Sequence, residues 1–108
     1  MALAGIVFDR EFSDFKPLEG ETFTLVLGPD AELPFVLAGV VARRPHAAPP
    51  AGAKFRSQPF SLFFECRLPF LCPQDNYRLR HPALEGPIHL VPVGVLEGGG
   101  FRYQAVFT

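Results

Sequence analysis

The sequence predicts an all-β domain: a small sandwich or partly open barrel of about six antiparallel strands, with a short helical turn near the N-terminus. Three observations predict it. Apolar residues alternate with polar ones in several short runs, the two-residue period of a half-buried strand. Turn signals separate those runs at short intervals. The 12 Pro and 10 Gly are poor material for helix interiors and good material for turns. A chain of 108 residues makes one domain, taken as residues 1–108.

The stretch that organises the rest is residues 58–66, Gln-Pro-Phe-Ser-Leu-Phe-Phe-Glu-Cys. Phe60, Leu62 and Phe64 fall on one face of a strand, and Ser61, Phe63 and Glu65 on the other. Three large side chains on one face require a core over them. Phe63 implies that the second face is partly covered as well. The composition supports this reading, with 12 Phe and no Trp and a hydrophobic fraction of 48%. Phe fills a core without needing a hydrogen-bond partner, which buried Trp and Tyr do need.

Taken in order, residues 2–8 are apolar and end in Ile6-Val7-Phe8, a short strand at a sheet edge. Phe12 and Phe15 lie three apart, a helical-turn spacing, with Asp9 as the expected N-cap and Pro17 as the stop. Residues 21–27 are the cleanest strand, with Phe23, Leu25 and Leu27 on one face. Gly28-Pro29-Asp30 is a turn, and residues 34–43 return as the second arm of a hairpin with a loose loop. Gly39 marks a bulge or bend in that arm. Residues 44–53 have the Pro/Ala composition of an extended loop. Residues 67–74, with Pro69 and Pro73, form an irregular connection.

Tyr77, Leu79 and His81 then alternate strictly on one face. Residues 82–87 read as a turn, and residues 88–93 as a strand that tolerates Pro92 only at an edge or bulge. Gly98-Gly99-Gly100 is a turn before a last strand, residues 101–107, with Phe101, Tyr103, Ala105 and Phe107 on one face. No internal repeat is visible.

Charge excludes some functions. The net charge of −1 argues against a nucleic-acid binder that relies on a basic surface. The charge is unevenly spread, with seven acids against two bases up to Leu33 and four acids against eight bases after it. Either the two parts pair inside one fold, or they form complementary patches joining one copy to the next. No apolar stretch is long enough to span a bilayer, so membrane insertion is not expected. Residues 1–8 lack the pattern of a secretory signal, which makes the cytoplasm the default location and the exterior the alternative for part of an exported assembly.

No reactive constellation emerges. Cys66 and Cys72 are expected as free thiols, although their spacing permits a small disulfide loop around Pro69 and Phe70. His46, His81 and His89 show no paired ligand spacing, so no metal is expected. An enzyme would have to assemble its site from Cys66, His81 and His89, with no evident orienting acid. Gly98-Gly99-Gly100 lacks the Lys and the following helix of a phosphate loop. The chain is therefore expected not to be an enzyme and to carry no cofactor.

What remains is surface. The chain ends, as Ile6, Val7 and Phe8 and as Tyr103, Val106 and Phe107, are strands expected at sheet edges, where they would pair with another molecule. Arg43, Arg44, Lys54 and Arg56 flank the Pro/Ala loop and would gather at one end if the adjoining strands pair. These ten residues are the candidate interaction surface, for a protein partner or for self-association.

Several pieces taken in order carry a resemblance. They are residues 15–23 (Phe-Lys-Pro-Leu-Glu-Gly-Glu-Thr-Phe), residues 58–64, Tyr77-Arg78-Leu79 with His81-Pro82, Leu90-Val91-Pro92-Val93-Gly94, and Tyr103-Gln104-Ala105-Val106-Phe107. In this order the chain resembles a family of small bacterial domains of unknown function, loosely associated with phage-tail-collar-type fibre proteins. The long Pro/Ala loop and the Cys pair depart from the pattern. The resemblance implies a small β domain that serves as a subunit or accessory protein of a fibre-like or tail-like assembly. The alternative expectation is a β-barrel that binds a small apolar ligand, which the number of Phe residues motivates.

Overall fold

In the computed structural model the described residues are 10–44 and 58–108, with the backbone of 5–6. Among these residues there are seven strands: β1 (Gly5–Ile6), β2 (Thr22–Gly28), β3 (Ala31–Ala42), β4 (Phe60–Cys66), β5 (Asp75–His81), β6 (Leu84–Val95) and β7 (Phe101–Phe107). A helical turn, α1 (Phe12–Phe15), runs on into a 3-10 turn over Lys16–Leu18. The strand order is β1-β6-β5-β2-β3-β4-β7, and β6 also pairs with β7. That last pairing closes six antiparallel strands into a small barrel. Of the two architectures expected, the barrel is the one observed.

The alternation read from the sequence sets the inside and outside of the wall. Phe23 and Leu25 of β2, Leu79 and His81 of β5, and Tyr103, Ala105 and Phe107 of β7 are all buried. In β4, Phe60, Leu62, Phe64 and Cys66 are buried, and Phe63 on the other face is half-buried under the guanidinium of Arg102, 5.9 Å from its ring centre. β4 lies between β3 and β7, inside the sheet as its composition required. The rings pack edge-on or offset. Phe23 meets Phe64 at 5.6 Å, and the cross-strand pair Phe60 and Phe107 stacks at 4.7 Å. Each such ring removed from water contributes about 1.5–3 kcal/mol.

β3 carries the device that the sequence marked with Gly39. Leu33, Phe35 and Leu37 point inward, the β3–β4 register shifts between Leu37 and Gly39, and Val40 is the next inward residue. The extra residue, Ala38, reverses the parity of the strand so that both halves face the core. The β2–β3 ladder ends at Thr22↔Val36 and is prolonged by Gly20 donating to the Leu37 carbonyl at 2.7 Å. Beyond it the Val40 amide donates to the Glu19 carboxylate at 3.0 Å. Glu19 also holds Lys16 at 2.8 Å, fixing the turn to the wall.

Each end of the barrel is plugged. At one pole Phe15 is fully buried against Phe60 and Phe107, 5.6 Å from each. At the other, residues 67–74 cross from β4 to β5, and the buried Cys72 donates its amide to the Tyr103 hydroxyl at 2.9 Å.

Several expectations are corrected. The N-cap of α1 is Glu11, whose amide donates to the Asp14 carboxylate at 2.8 Å; Asp9 lies outside the described residues. Pro17 does not stop the turn, because a 3-10 turn accepts Pro in its first positions. The β2–β3 loop is tight, with Pro29 and Asp30 alone between the strands. Gly86 and Pro87 are not in a turn but inside β6, where β7 has not yet joined it. Pro92 does sit at a bulge, between Pro92 and Gly94. The last strand is an edge only at its end: β7 pairs with β4 along its length and with β6 from Phe101 to Gln104, and beyond Gln104 its β6 side is open.

Candidate interaction surface

The ten residues singled out in the sequence fall in different places. Ile6 lies in β1, in parallel register with Glu85. Val7, Phe8, Lys54 and Arg56 lie outside the described residues. Tyr103 is 1% exposed and Phe107 8%, so both side chains belong to the barrel interior. Val106, between them, points out and is 49% exposed. Arg43 donates to the Ser61 hydroxyl at 3.2 Å, and its amide to the Pro59 carbonyl at 2.8 Å. Arg44 is exposed.

Register brings Val106 and the arginines to one face. Across β3, β4 and β7 the outward rows are Val41–Ser61–Val106, Gly39–Phe63–Gln104 and Val36–Glu65–Arg102. Val41 is 50% exposed. Ser61, although outward, is covered, because it accepts from Arg43 and from the Gln104 amide at 3.1 Å. Arg102 donates to Glu65 at 2.8 Å. The result is an apolar corner of Val41 and Val106 beside Arg43 and Arg44.

The pole closed by residues 67–74 is a second exposed apolar region, which the sequence reading passed over. Phe70 and Leu71 are about half exposed on it, and Val95 is the most exposed large hydrophobic among the described residues, at 78%. Arg67 joins the two loops of this pole by donating to the Glu97 carbonyl at 2.9 Å. The signal was present as Pro69-Phe70-Leu71, an apolar run in a segment with no strand alternation. Nothing in the run itself distinguishes a buried plug from an exposed tip, and here Cys72 is the plug and Phe70 the tip.

Between β6 and β7 the wall parts. Their register stops at Val91↔Gln104, and a cleft of about 290 Å³ opens beyond it, lined by Ile88, His89, Ala105, Val106 and Phe107 among others.

The titratable groups are dispersed. His81 is buried against the Phe23 ring, its Nδ1 accepting from the Ala83 amide at 3.0 Å and its Nε2 2.8 Å from Glu21. His89 is on the outer face beside Asn76, and Cys66 is at the opposite end of the barrel from His81. The constellation of Cys66, His81 and His89 is thus not assembled. Among the described residues no three His, Cys, Asp or Glu side chains gather closely enough to hold a metal ion. None of their helices is long and apolar enough to cross a membrane. The charges of the two chain parts meet within the fold at Arg80 and Glu32, 2.5 Å apart.

These features define a small closed antiparallel barrel with a filled interior and apolar side chains left on its outside. The chain belongs to the domain-of-unknown-function family DUF6916, whose model matches residues 10–107. No curated protein and no solved structure matches it.

Proposed function

We propose that this barrel is a non-catalytic protein-interaction domain, a subunit or accessory part of a fibre-like or tail-like assembly. The observation that carries the reading is the placement of apolar side chains. The interior is already filled by Phe and Leu, yet Val41, Val106, Phe70, Leu71 and Val95 remain on the outside. Isolated exposed hydrophobics are ordinary, but clusters rimmed by charge are characteristic of contact surfaces. The dispersal of His81, His89 and Cys66 supports a role without catalysis.

The test is photocrosslinking in the producing cell, from a reactive side chain placed at Val41, Val106 or Leu71. Placement at Glu32, on the ion-paired face, is the control. Protein adducts from the first three positions and not from the control are expected. Uncrosslinked monomer from every position overturns the reading.

The cleft beside Ile88, Ala105 and Phe107 favours a second reading, a site for a small apolar ligand. At about 290 Å³ it is at the lower limit of ligand-sized pockets. Ala105→Phe would fill it, and apolar probe binding that is unchanged by this substitution removes the reading.

A further inference from the structure

We propose that the partner is a second copy of this chain, docked head to tail: the pole bearing Phe70, Leu71 and Val95 seats on the Val41–Val106 corner of the next molecule. The inference rests on the interaction-domain reading and names its partner. The two surfaces are at opposite ends of the same strands. Val41, Ser61 and Val106 form a row next to Phe60 and Phe107, whereas Cys66, Phe101 and Val95 are in register at the other pole.

Their charges are opposite. The pole carries exposed Asp30 at the tip of the β2–β3 hairpin, Asp75 at the start of β5, and Glu97 in the β6–β7 loop. Asp30 and Glu97 have no ion-pair partner among the described residues. Arg67, the cation of this pole, is engaged with the Glu97 and Gly99 carbonyls. The corner carries Arg43 and Arg44, and Arg44 likewise has no ion-pair partner among the described residues.

Charge then selects the mode of docking. A symmetric contact through a single patch would set pole on pole or corner on corner, acid against acid or base against base, and like charges brought together at an interface cost affinity, whereas a two-fold pair using both patches at once would end at a dimer. Pole on corner sets acid against base and apolar against apolar. Such a contact uses two different patches, so each molecule added leaves one of each patch free. Unless the rotation closes a ring, the product is an open chain.

The experiment is sedimentation velocity on the purified full chain over a range of concentrations, at low and high salt. Self-association that weakens as salt rises is expected, because the contact is partly ionic. Two variants carry the decisive arm: Val41→Glu/Arg44→Glu damages the corner, and Leu71→Glu damages the pole. All three substitutions are at exposed positions, and an unchanged circular dichroism melt confirms that each variant is folded. Each alone is expected to be monomeric. Mixed, they retain one intact pole and one intact corner, so they should form a 1:1 dimer and nothing larger.

A wild type that stays monomeric at low salt or stops at a dimer overturns the proposal, as do assemblies that survive either variant or a mixture that yields no dimer. If the purified protein is monomeric while photocrosslinks in the cell reach other proteins, head-to-tail docking is wrong and the broader reading stands.

Discussion

The amide of Cys72 donates to the hydroxyl of Tyr103 at 2.9 Å, joining the loop that crosses the barrel mouth to the strand beneath it. Tyr103 is inward and packs on Phe35, with ring centres 4.9 Å apart, so its hydroxyl is held where the loop must pass. Tyr103→Phe keeps the ring and leaves the Cys72 amide without its acceptor. A buried amide without a partner costs about 1–3 kcal/mol, and denaturant titration should show a loss of that size. No loss would mean that the amide finds water.

The same burial makes the phenol hard to ionise. Removal from water pushes Tyr103 up to about 12, with the neighbouring Cys72 and Cys66 thiols adding to the effect against the opposing Cys72 amide bond. The folded value is above the unfolded one, so this contribution to stability is complete below about pH 10 and is lost as pH rises towards the folded value. Wild type should therefore lose stability between those limits, and Tyr103→Phe should lose less of it. Parallel pH profiles for the two proteins would show that Tyr103 is not the group responsible.

Gly100 closes the barrel. Its φ is +96°, and a Cβ there would be 2.3 Å from the Cys66 carbonyl oxygen and 2.6 Å from the Arg67 Cα. Both are backbone atoms and cannot swing aside. Gly100→Ala should cost on the order of 3 kcal/mol or more, or prevent folding altogether. Gly99→Ala is the control. Its φ of +111° is strained for Ala, but the space around it is open, so about 1–2 kcal/mol is expected. Equal costs at the two positions would show that conformational strain, and not the clash, is what matters.

That contrast shows how much could be read in advance. Period-two alternation identified β2, β4, β5 and β7 and most of their inward residues, because one buried face imposes a repeat on the sequence; Leu27, expected on the inward face of β2 with Phe23 and Leu25, is instead 41% exposed where the β2–β3 register shifts. The bulges at Gly39 and Pro92 were legible because each residue type violates a strand rule in a recognisable way. The closure of β7 on β6 was not legible. It depends on the register between distant strands, and alternation within each strand is the same in a barrel and in a sandwich. The candidate surface was half legible for the same reason. Val106 was correctly placed in a strand, but its neighbours Tyr103 and Phe107 were grouped with it by position in the chain, whereas the pleat turns Tyr103 and Phe107 inward.

Phe15 should matter more than a short helical turn usually does. It is fully buried and touches both Phe60 and Phe107, which stack on each other. Phe15→Ala should cost about 3–5 kcal/mol by leaving that end of the core open. Phe12, only partly buried and, among the described residues, paired with the Phe60 ring, should cost less. Equal losses for Phe12→Ala and Phe15→Ala in thermal melts would place the plug elsewhere.

Glu19 gives an acid-side counterpart. The Lys16 ammonium donates to its carboxylate, the Val40 amide adds a second bond, and together they hold the carboxyl below its ordinary value against a smaller opposing effect of burial. Here the folded value is below the unfolded one. The contribution is therefore present above the unfolded carboxylate value, about 4.3, and is lost as pH falls through the folded value. Glu19→Gln keeps an oxygen for the Val40 amide and removes the charge that Lys16 binds. It should lower stability at neutral pH and flatten the acid limb of the stability profile. The bulge in β3 explains why this residue is used: Ala38 carries Val40 beyond the end of β2, so its amide has no strand partner and a side chain must supply the acceptor. If Glu19→Gln melts with the wild-type profile at every pH, the carboxylate is a bystander and the Val40 amide is satisfied by solvent.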